Sequence, residues 1–285
     1  MTPDIAILAP GAMGSAVARR LIDHGARVLT SLAGRSAASR ERARAAGMIE
    51  AGEEQLAGVD LILSILPPAE AVALAERLAP ALARSARKPV YVDCNAVDVG
   101  TVERIAAIIG ASGTPFVDGA IIGAPPRPGQ PGPTFYLAGS PAVGLASLQT
   151  LGLTVRILDG PIGAASALKM AYAGITKGLT ALAAAMVLAA DRAGAAPDLR
   201  AELASSQPML LQRFQTGLPD MFGKAGRWAG EMREIAAFAG ADPAVARIYL
   251  AMADLYDRLG KDEAGEKLEI ARLSAFVRPA PGAGD

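Results

Sequence analysis

The sequence predicts a doubly wound α/β half followed by an all-helical half built around one long helix. Two observations carry this. Over residues 1–160, short apolar runs alternate with segments of helical period, the pattern of a parallel sheet with helices on its faces. After Asp159-Gly160-Pro161 the short runs cease. An alanine-rich, proline-free stretch from Gly163 to Gly194 then opens a succession of helices only. A chain of 285 residues has room for both parts, with domains expected over 1–160 and 161–285.

Residues 4–9 (DIAILA) read as a buried strand running into Pro10-Gly11-Ala12-Met13-Gly14 and a helix that ends at Gly25. The segment ARVLTS is the second strand. Strand, glycine turn, helix and strand in this order form the context of a dinucleotide fingerprint, and make the first half Rossmann-type. Gly11 would let a pyrophosphate approach the helix N-terminus, and Gly14 would let the helix pack close to the strand. Ala9 stands where the pattern has its first glycine, so the motif is incomplete. Further strands are expected at 60–65, 89–94, 115–122, 134–138 and 153–158, with helices at 69–84 and 99–110. Residues 123–133 are rich in proline and glycine, a stiff loop at a strand end. Ligands bind at the carboxyl ends of such strands, which here supply Ile65, Asn95 and Gly123.

Cofactor choice is read just after the second strand. A site for NAD places an acidic residue there to hold the ribose 2′-hydroxyl. No acidic residue lies between Asp23 and Glu41; the chain has Ser31, Gly34, Arg35 and Ser36 instead, followed by Ser39 and Arg40. Arginine with hydroxyls suits a 2′-phosphate, so NADP is the expected cofactor. The plainer reading makes Ser36 the N-cap of a solvated helix.

The long helix would span roughly 45 Å at ~1.5 Å per residue. Apolar side chains occur all round it, which predicts burial on every side. A membrane span is set aside because Lys169 and Lys177 leave only 178–190 free of charge, short of the ~20 residues required. Lys169 shares a polar stripe with Tyr172, Thr176 and Thr180, whereas Lys177 lies about 80° away. A lysine in such a helix must find water or a partner, or act chemically; the plain alternative is a snorkelling side chain. Shorter helices are expected near 198–206, 208–216, 223–239, 243–258 and 261–275, before a disordered tail, VRPAPGAGD.

Composition narrows the chemistry. Lys+Arg and Asp+Glu number 28 each, so no basic face for nucleic acid or membrane is indicated. A hydrophobic fraction of 52% points to a subunit interface. Cys94 stands alone, which gives no disulfide framework or cysteine metal site and suits a cytoplasmic protein. The one histidine, His24, reads as a cation closing the first helix. Proton transfer then falls to lysine, tyrosine or a carboxylate.

The segments PGAMGSAVARRLIDHGARV, SILPP, VDCNAV, FVDGAIIGA and GAASALKMAY together resemble the β-hydroxyacid dehydrogenase and 6-phosphogluconate dehydrogenase superfamily, in a divergent phosphogluconate dehydrogenase-like branch. The likeness spans nearly the whole chain. It implies Lys169 as the catalytic general acid or base and a small-molecule substrate. Cofactor contacts are implied at Gly11, Ala12, Met13, Gly14, Ile65, Leu66, Pro67 and Asn95. Substrate contacts are implied at Asn95, Ile122, Gly123 and Ala124. Three positions depart from the pattern: Ile122 replaces a serine, Tyr172 an asparagine, and Gly230-Glu231 a Lys-Asp pair. Tyr172 is expected to orient substrate, and Trp228 and Glu231 to reach it in a homodimer. The expected activity is NADP-dependent hydride exchange with a hydroxy or carbonyl compound. The alternatives are an imine reductase and a non-catalytic nucleotide-binding protein.

Overall fold

The computed structural model describes residues 3–278; of the tail expected to be disordered, 279–285 lie outside the described residues. Two compact units are present, Met1–Met170 and Ala171–Asp285. The division falls inside the long helix and not at 160.

The first unit holds one eight-stranded sheet in the order β3-β2-β1-β4-β5-β6-β7-β8. Its strands are β1 (Asp4–Leu8), β2 (Arg27–Thr30), β3 (Ile49–Glu50), β4 (Leu61–Ser64), β5 (Val90–Asp93), β6 (Phe116–Ile122), β7 (Thr134–Ala138) and β8 (Thr154–Ile157). All neighbours are parallel except β6 and β7, where Ile122 pairs with Thr134 and Asp118 with Ala138. The reversal comes from the proline-rich loop, too short to carry a crossover. Strand order turns about between β1 and β4, and the crevice beyond their carboxyl ends is the ligand position of open α/β sheets.

Both faces of the sheet are covered, which is why its strands read as continuous apolar runs. On one face Ile5, Ile7, Val28, Leu63 and Val117 meet Val17 and Leu21 of α1 (Ala12–Asp23) and Ala43 of α2 (Ala37–Ala45). On the other, Leu8, Ile62 and Tyr91 meet Leu56 of α3 (Glu53–Ala57), Leu74 and Leu78 of α4 (Ala71–Arg84), and Ile105 of α5 (Val99–Gly110). A 3₁₀ helix at Ser140–Leu151, absent from the sequence reading, buries Ala142, Leu145 and Leu148. A spacing of three is the 3₁₀ period, so a search for the 3.6-residue period passes over it.

All seven predicted strands are present; β3 and α3 are additions, and α2 is the solvated helix of the plainer reading at Ser36. Each is short or mostly exposed, with little apolar pattern to find.

The long helix, α6, runs Ala164–Arg192. It is followed by α7 (Ala196–Ser206), α8 (Pro208–Phe222), α9 (Ala225–Phe238), α10 (Pro243–Ala264) and α11 (Leu268–Val277). Two expectations about α6 need correction. It is long and apolar enough to cross a membrane by length and composition, with one window of mean hydropathy 1.6, and half of that window is buried in the protein. Nor is it covered on every side. Tyr172, Ile175, Leu182 and Met186 are 50%, 70%, 51% and 53% exposed and lie along one face.

Lys177, read as a neutral position off the polar stripe, is the centre of a buried cluster in the second unit. Its ammonium pairs with Glu231 and sits 5.2 Å from the centre of the Trp228 ring. Trp228 meets Tyr256 edge-on at 5.5 Å, and the Tyr256 hydroxyl donates to the Lys177 carbonyl at 2.6 Å. One lysine thus ties α6 to α9, with α10 closing over both. The Lys177 and Glu231 side chains are 17% and 13% exposed. Lys177→Met would leave the largely buried Glu231 carboxylate with only the more distant Arg227 at 3.7 Å, at a cost of up to about 3–5 kcal/mol, the range for breaking a buried pair. Urea unfolding should register a loss of that order, and Lys177→Met with Glu231→Gln should recover part of it. A loss under about 0.5 kcal/mol in the single variant would show that the pair does not hold the helices.

Candidate functional site

The carboxyl edge of the parallel strands gathers most of the residues singled out in sequence. Gly11 is the N-cap of α1, with no side-chain acceptor on the first turn of that helix and open space where a Cβ would project. The first N–H groups of α1 are thus presented without a side-chain cap, the arrangement a pyrophosphate requires. Gly14 behaves as expected of a close approach: a Cβ there would stand 2.1 Å from the Ala9 carbonyl oxygen. Ala12 is exposed, Met13 half-buried against the core, and Arg42 of α2 donates from Nε to the Pro10 carbonyl at 3.2 Å. These residues fit a nicotinamide dinucleotide, which would rest on Gly11, Ala12 and Met13.

Beyond β2 the structure bears on both readings of the segment. Ser36 is indeed the N-cap of α2, accepting from Ser39 N at 3.3 Å. Gly34 turns the chain with φ +69°, and Ser31 is half-buried. Arg35 Nη1 pairs with Glu70 Oε2 at 3.1 Å, and its guanidinium is largely shielded. Reading along the chain found no acid near Arg35; the fold brings one from the turn after β4.

Asn95 follows β5 in the chain. It is buried, and its amide is committed inside the protein. Oδ1 accepts from Leu66 N at 2.6 Å, while Nδ2 donates to Ser64 Oγ and to Asp93 Oδ2, both at 2.8 Å. Its side chain secures the ends of β4 and β5 to each other. Ile65 is likewise tied to β1, donating to the Leu8 carbonyl and accepting from Ala9 N. Leu66 is buried and Pro67 exposed, so Pro67 is the part of SILPP that faces outward.

At the end of β6, Ile122 is half-buried and Ala124 exposed. Gly123 has φ +131°, and a Cβ there would meet Pro133 at 3.0 Å, so the turn demands glycine. The loop that follows is held by Arg20 of α1. Its Nη2 donates to the carbonyls of Arg127 and Gln130, each at 2.9 Å, and its Nη1 to that of Gly152 at 3.3 Å. The Arg127 side chain is exposed.

Lys169 reaches the same edge. Half-buried on α6, it donates from Nζ to the Ile121 carbonyl of β6. What the sequence reading missed is the group that brings it there. Asp118, three residues earlier on β6 and fully buried, accepts at Oδ2 from the backbone N–H of Gly163, Ala165 and Ser166, at 2.9, 2.8 and 3.1 Å. Its Oδ1 accepts from Ser166 Oγ at 2.7 Å. The only earlier signal was an acidic residue in the otherwise apolar run FVDGAII. Burial pushes the Asp118 carboxyl up, against the lowering pull of its Ser166, Ala165 and Gly163 donors. Asp93, its register partner on β5, is pushed up to about 7 by burial, with Asp118 adding to the rise and Asn95 opposing it. Burial likewise pushes the Cys94 thiol up, so it is not a poised nucleophile.

The other expected site residues lie in the second unit. Tyr172 is half exposed, one turn beyond Lys169 on α6. Trp228 and Glu231 are engaged with Lys177 through the indole ring face and the carboxylate.

Residues 4–149 match the family model described as the NAD binding domain of 6-phosphogluconate dehydrogenase, and 190–259 match a domain of unknown function, DUF1932. Among solved structures, a conserved protein of unknown function reported to be structurally similar to 3-hydroxyacid dehydrogenases is 28% identical, with a TM-score of 0.68 over 90% of this chain and 99% of its own. The 3-hydroxyisobutyrate dehydrogenase of Mycobacterium tuberculosis is 18% identical, with a TM-score of 0.72 over 97% and 98%. An imine reductase from Myxococcus stipitatus, solved with NADP+, is 18% identical, with a TM-score of 0.55 over 97% and 100%. The last two likenesses are of fold. No curated protein matches the chain. A family model spanning half of the sequence, over the sheet and glycine turn described above, makes this chain a member of the β-hydroxyacid dehydrogenase and 6-phosphogluconate dehydrogenase superfamily.

Proposed function

We propose that the protein is an NADP(H)-dependent oxidoreductase acting on a small hydroxy or carbonyl compound, with Lys169 as its general acid and base. The observation that carries this is the placement of the Lys169 amine on the Ile121 carbonyl, at the sheet edge onto which the open N-terminus of α1 also faces. When bound, the nicotinamide supplies or accepts hydride. Lys169 gives a proton to the substrate oxygen in reduction and takes it back in oxidation, and the Ile121 carbonyl keeps the amine aimed between turnovers. Ile122, Gly123 and Ala124 line the approach with apolar groups, and Tyr172 orients the substrate. Trp228 and Glu231 hold Lys177 of α6.

The preference for NADP rests on Arg35, whose pairing with Glu70 sharpens the test. A 2′-phosphate must win the guanidinium from Glu70, whereas a bare ribose could use the Glu70 carboxylate as its acceptor. A charge-assisted contact of this kind contributes about 1.5–3 kcal/mol, or roughly ten- to a hundred-fold in affinity. Titration should give NADPH a lower Kd than NADH in the wild type. Arg35→Ala should erase that preference, and Glu70→Gln should widen it. Equal affinities in the wild type would remove the assignment.

Lys169→Met keeps length and helix propensity, so the fold should persist. NADPH affinity should stay within a few-fold, while turnover drops by about 10²–10⁴. Lys261→Met, exposed on α10, is the control and should be unaffected. The assay takes an aliphatic aldehyde, a cyclic imine and a small hydroxyacid; preferential turnover of the imine would favour imine reduction instead. Tight NADPH binding with no turnover of any would favour a non-catalytic nucleotide-binding protein.

The exposed face of α6 at Tyr172, Ile175, Leu182 and Met186 is proposed to be covered by a second copy of the chain. Sedimentation at micromolar concentration should give twice the 29.0 kDa chain mass, and Leu182→Glu should halve it. A wild-type monomer at that concentration overturns the proposal.

A further inference from the structure

We infer that Asp118 is a positioning residue for Lys169, resting on the reading of Lys169 given above. Three observations converge. Two polar attachments of α6 fall on one strand: Asp118 takes the N–H groups of the first turn, and Ile121, three residues further, takes the amine. Asp118 and Ile121 are three residues apart on β6, so a side chain and a carbonyl meet the same helix from points about 10 Å apart along the strand. All four contacts of the carboxylate go to Gly163, Ala165 and Ser166, so its hydrogen bonding is spent on the turn just before Lys169.

A helix N-terminus capped by its own preceding residue can move as a unit with its cap. Here the cap is 48 residues away in sequence and set in the middle of a sheet, so the start of α6 is fixed to β6 and not merely closed. The Lys169 side chain is long and flexible, and holding its Cα keeps the Ile121 carbonyl within its reach. Displacement of such a group by about 1 Å can cost on the order of 10² in rate.

Asp118→Asn keeps the shape but turns an N–H₂ group toward donors. The test is competitive acetylation of the lysines by acetic anhydride, read by mass spectrometry across the alkaline range, beside the thermal melt. It needs no substrate. In the folded variant, acetylation of Lys169 should rise about three- to ten-fold, the size of one lost hydrogen bond, and its pH profile should shift. Lys88 and Lys177, shielded by contacts elsewhere, should react as in the wild type. A role confined to stability would raise all three together or none, and unchanged Lys169 acetylation overturns the inference. If Asp118→Asn does not fold, Ser166→Ala decides, since it removes one of the four contacts and should raise Lys169 selectively by a smaller factor. Turnover separates this from the reading beneath it. Loss in Lys169→Met with normal kcat in Asp118→Asn overturns the positioning role alone, whereas normal turnover in Lys169→Met overturns Lys169 itself. With both true, Asp118→Asn lowers kcat more than it raises KM, and costs nothing further in the Lys169→Met background.

Discussion

A buried carboxylate on a helix start is the constraint from which the rest of the first unit follows. Asp118 has no water to solvate it, so it must be given donors, and the first turn of α6 has N–H groups that lack partners of their own. Each need answers the other, and the positive end of a long helix dipole adds to the match. The exchange fixes the first turn of α6 to β6. Burial also makes ionisation of the neighbouring Asp93 costly, with Asp118 adding to the rise, so the middle of the sheet carries two buried acids side by side, both pushed up.

The nucleotide end of the sheet is organised by a different economy, that of arginines spent on backbone and acid groups. Arg42 holds the turn after β1, Arg20 holds the proline-rich loop, and Arg35 is paired with Glu70. Only the last has a counter-ion that a bound phosphate could displace. The other two take part in shaping the loops, so charge alone does not mark a phosphate site among these residues.

Much of this fold was legible because parallel strands, buried on both faces, leave unbroken apolar runs, and because glycine has no substitute at Gly14 and Gly123. Long-range polar contacts were not legible. Nothing in the order of residues announces that Glu70 meets Arg35, that Asn95 is consumed by Leu66, Ser64 and Asp93, or that Glu231 faces Lys177. Helical angles placed Lys177 off the polar stripe of α6, which is true of the helix and silent about its neighbours. Asp118 was the most readable of the missed residues, since an acid inside an apolar strand must be satisfied somewhere, but its partners lie 45 to 48 residues on.

The long helix belongs to both units, since its first turns are held by the sheet and its remainder by the helices around Lys177. The protein therefore cannot be divided at the seam its composition suggests. An N-terminal fragment ending at residue 160 would carry the whole sheet and leave a carboxylate inside it with none of its four donors. The same cut would hand the C-terminal fragment a helix whose opening turn has lost its acceptor. Any shuffling of this nucleotide-binding half onto other helical halves has to carry the opening turns of α6 with the sheet, through Met170, and join the foreign sequence in the middle of a helix.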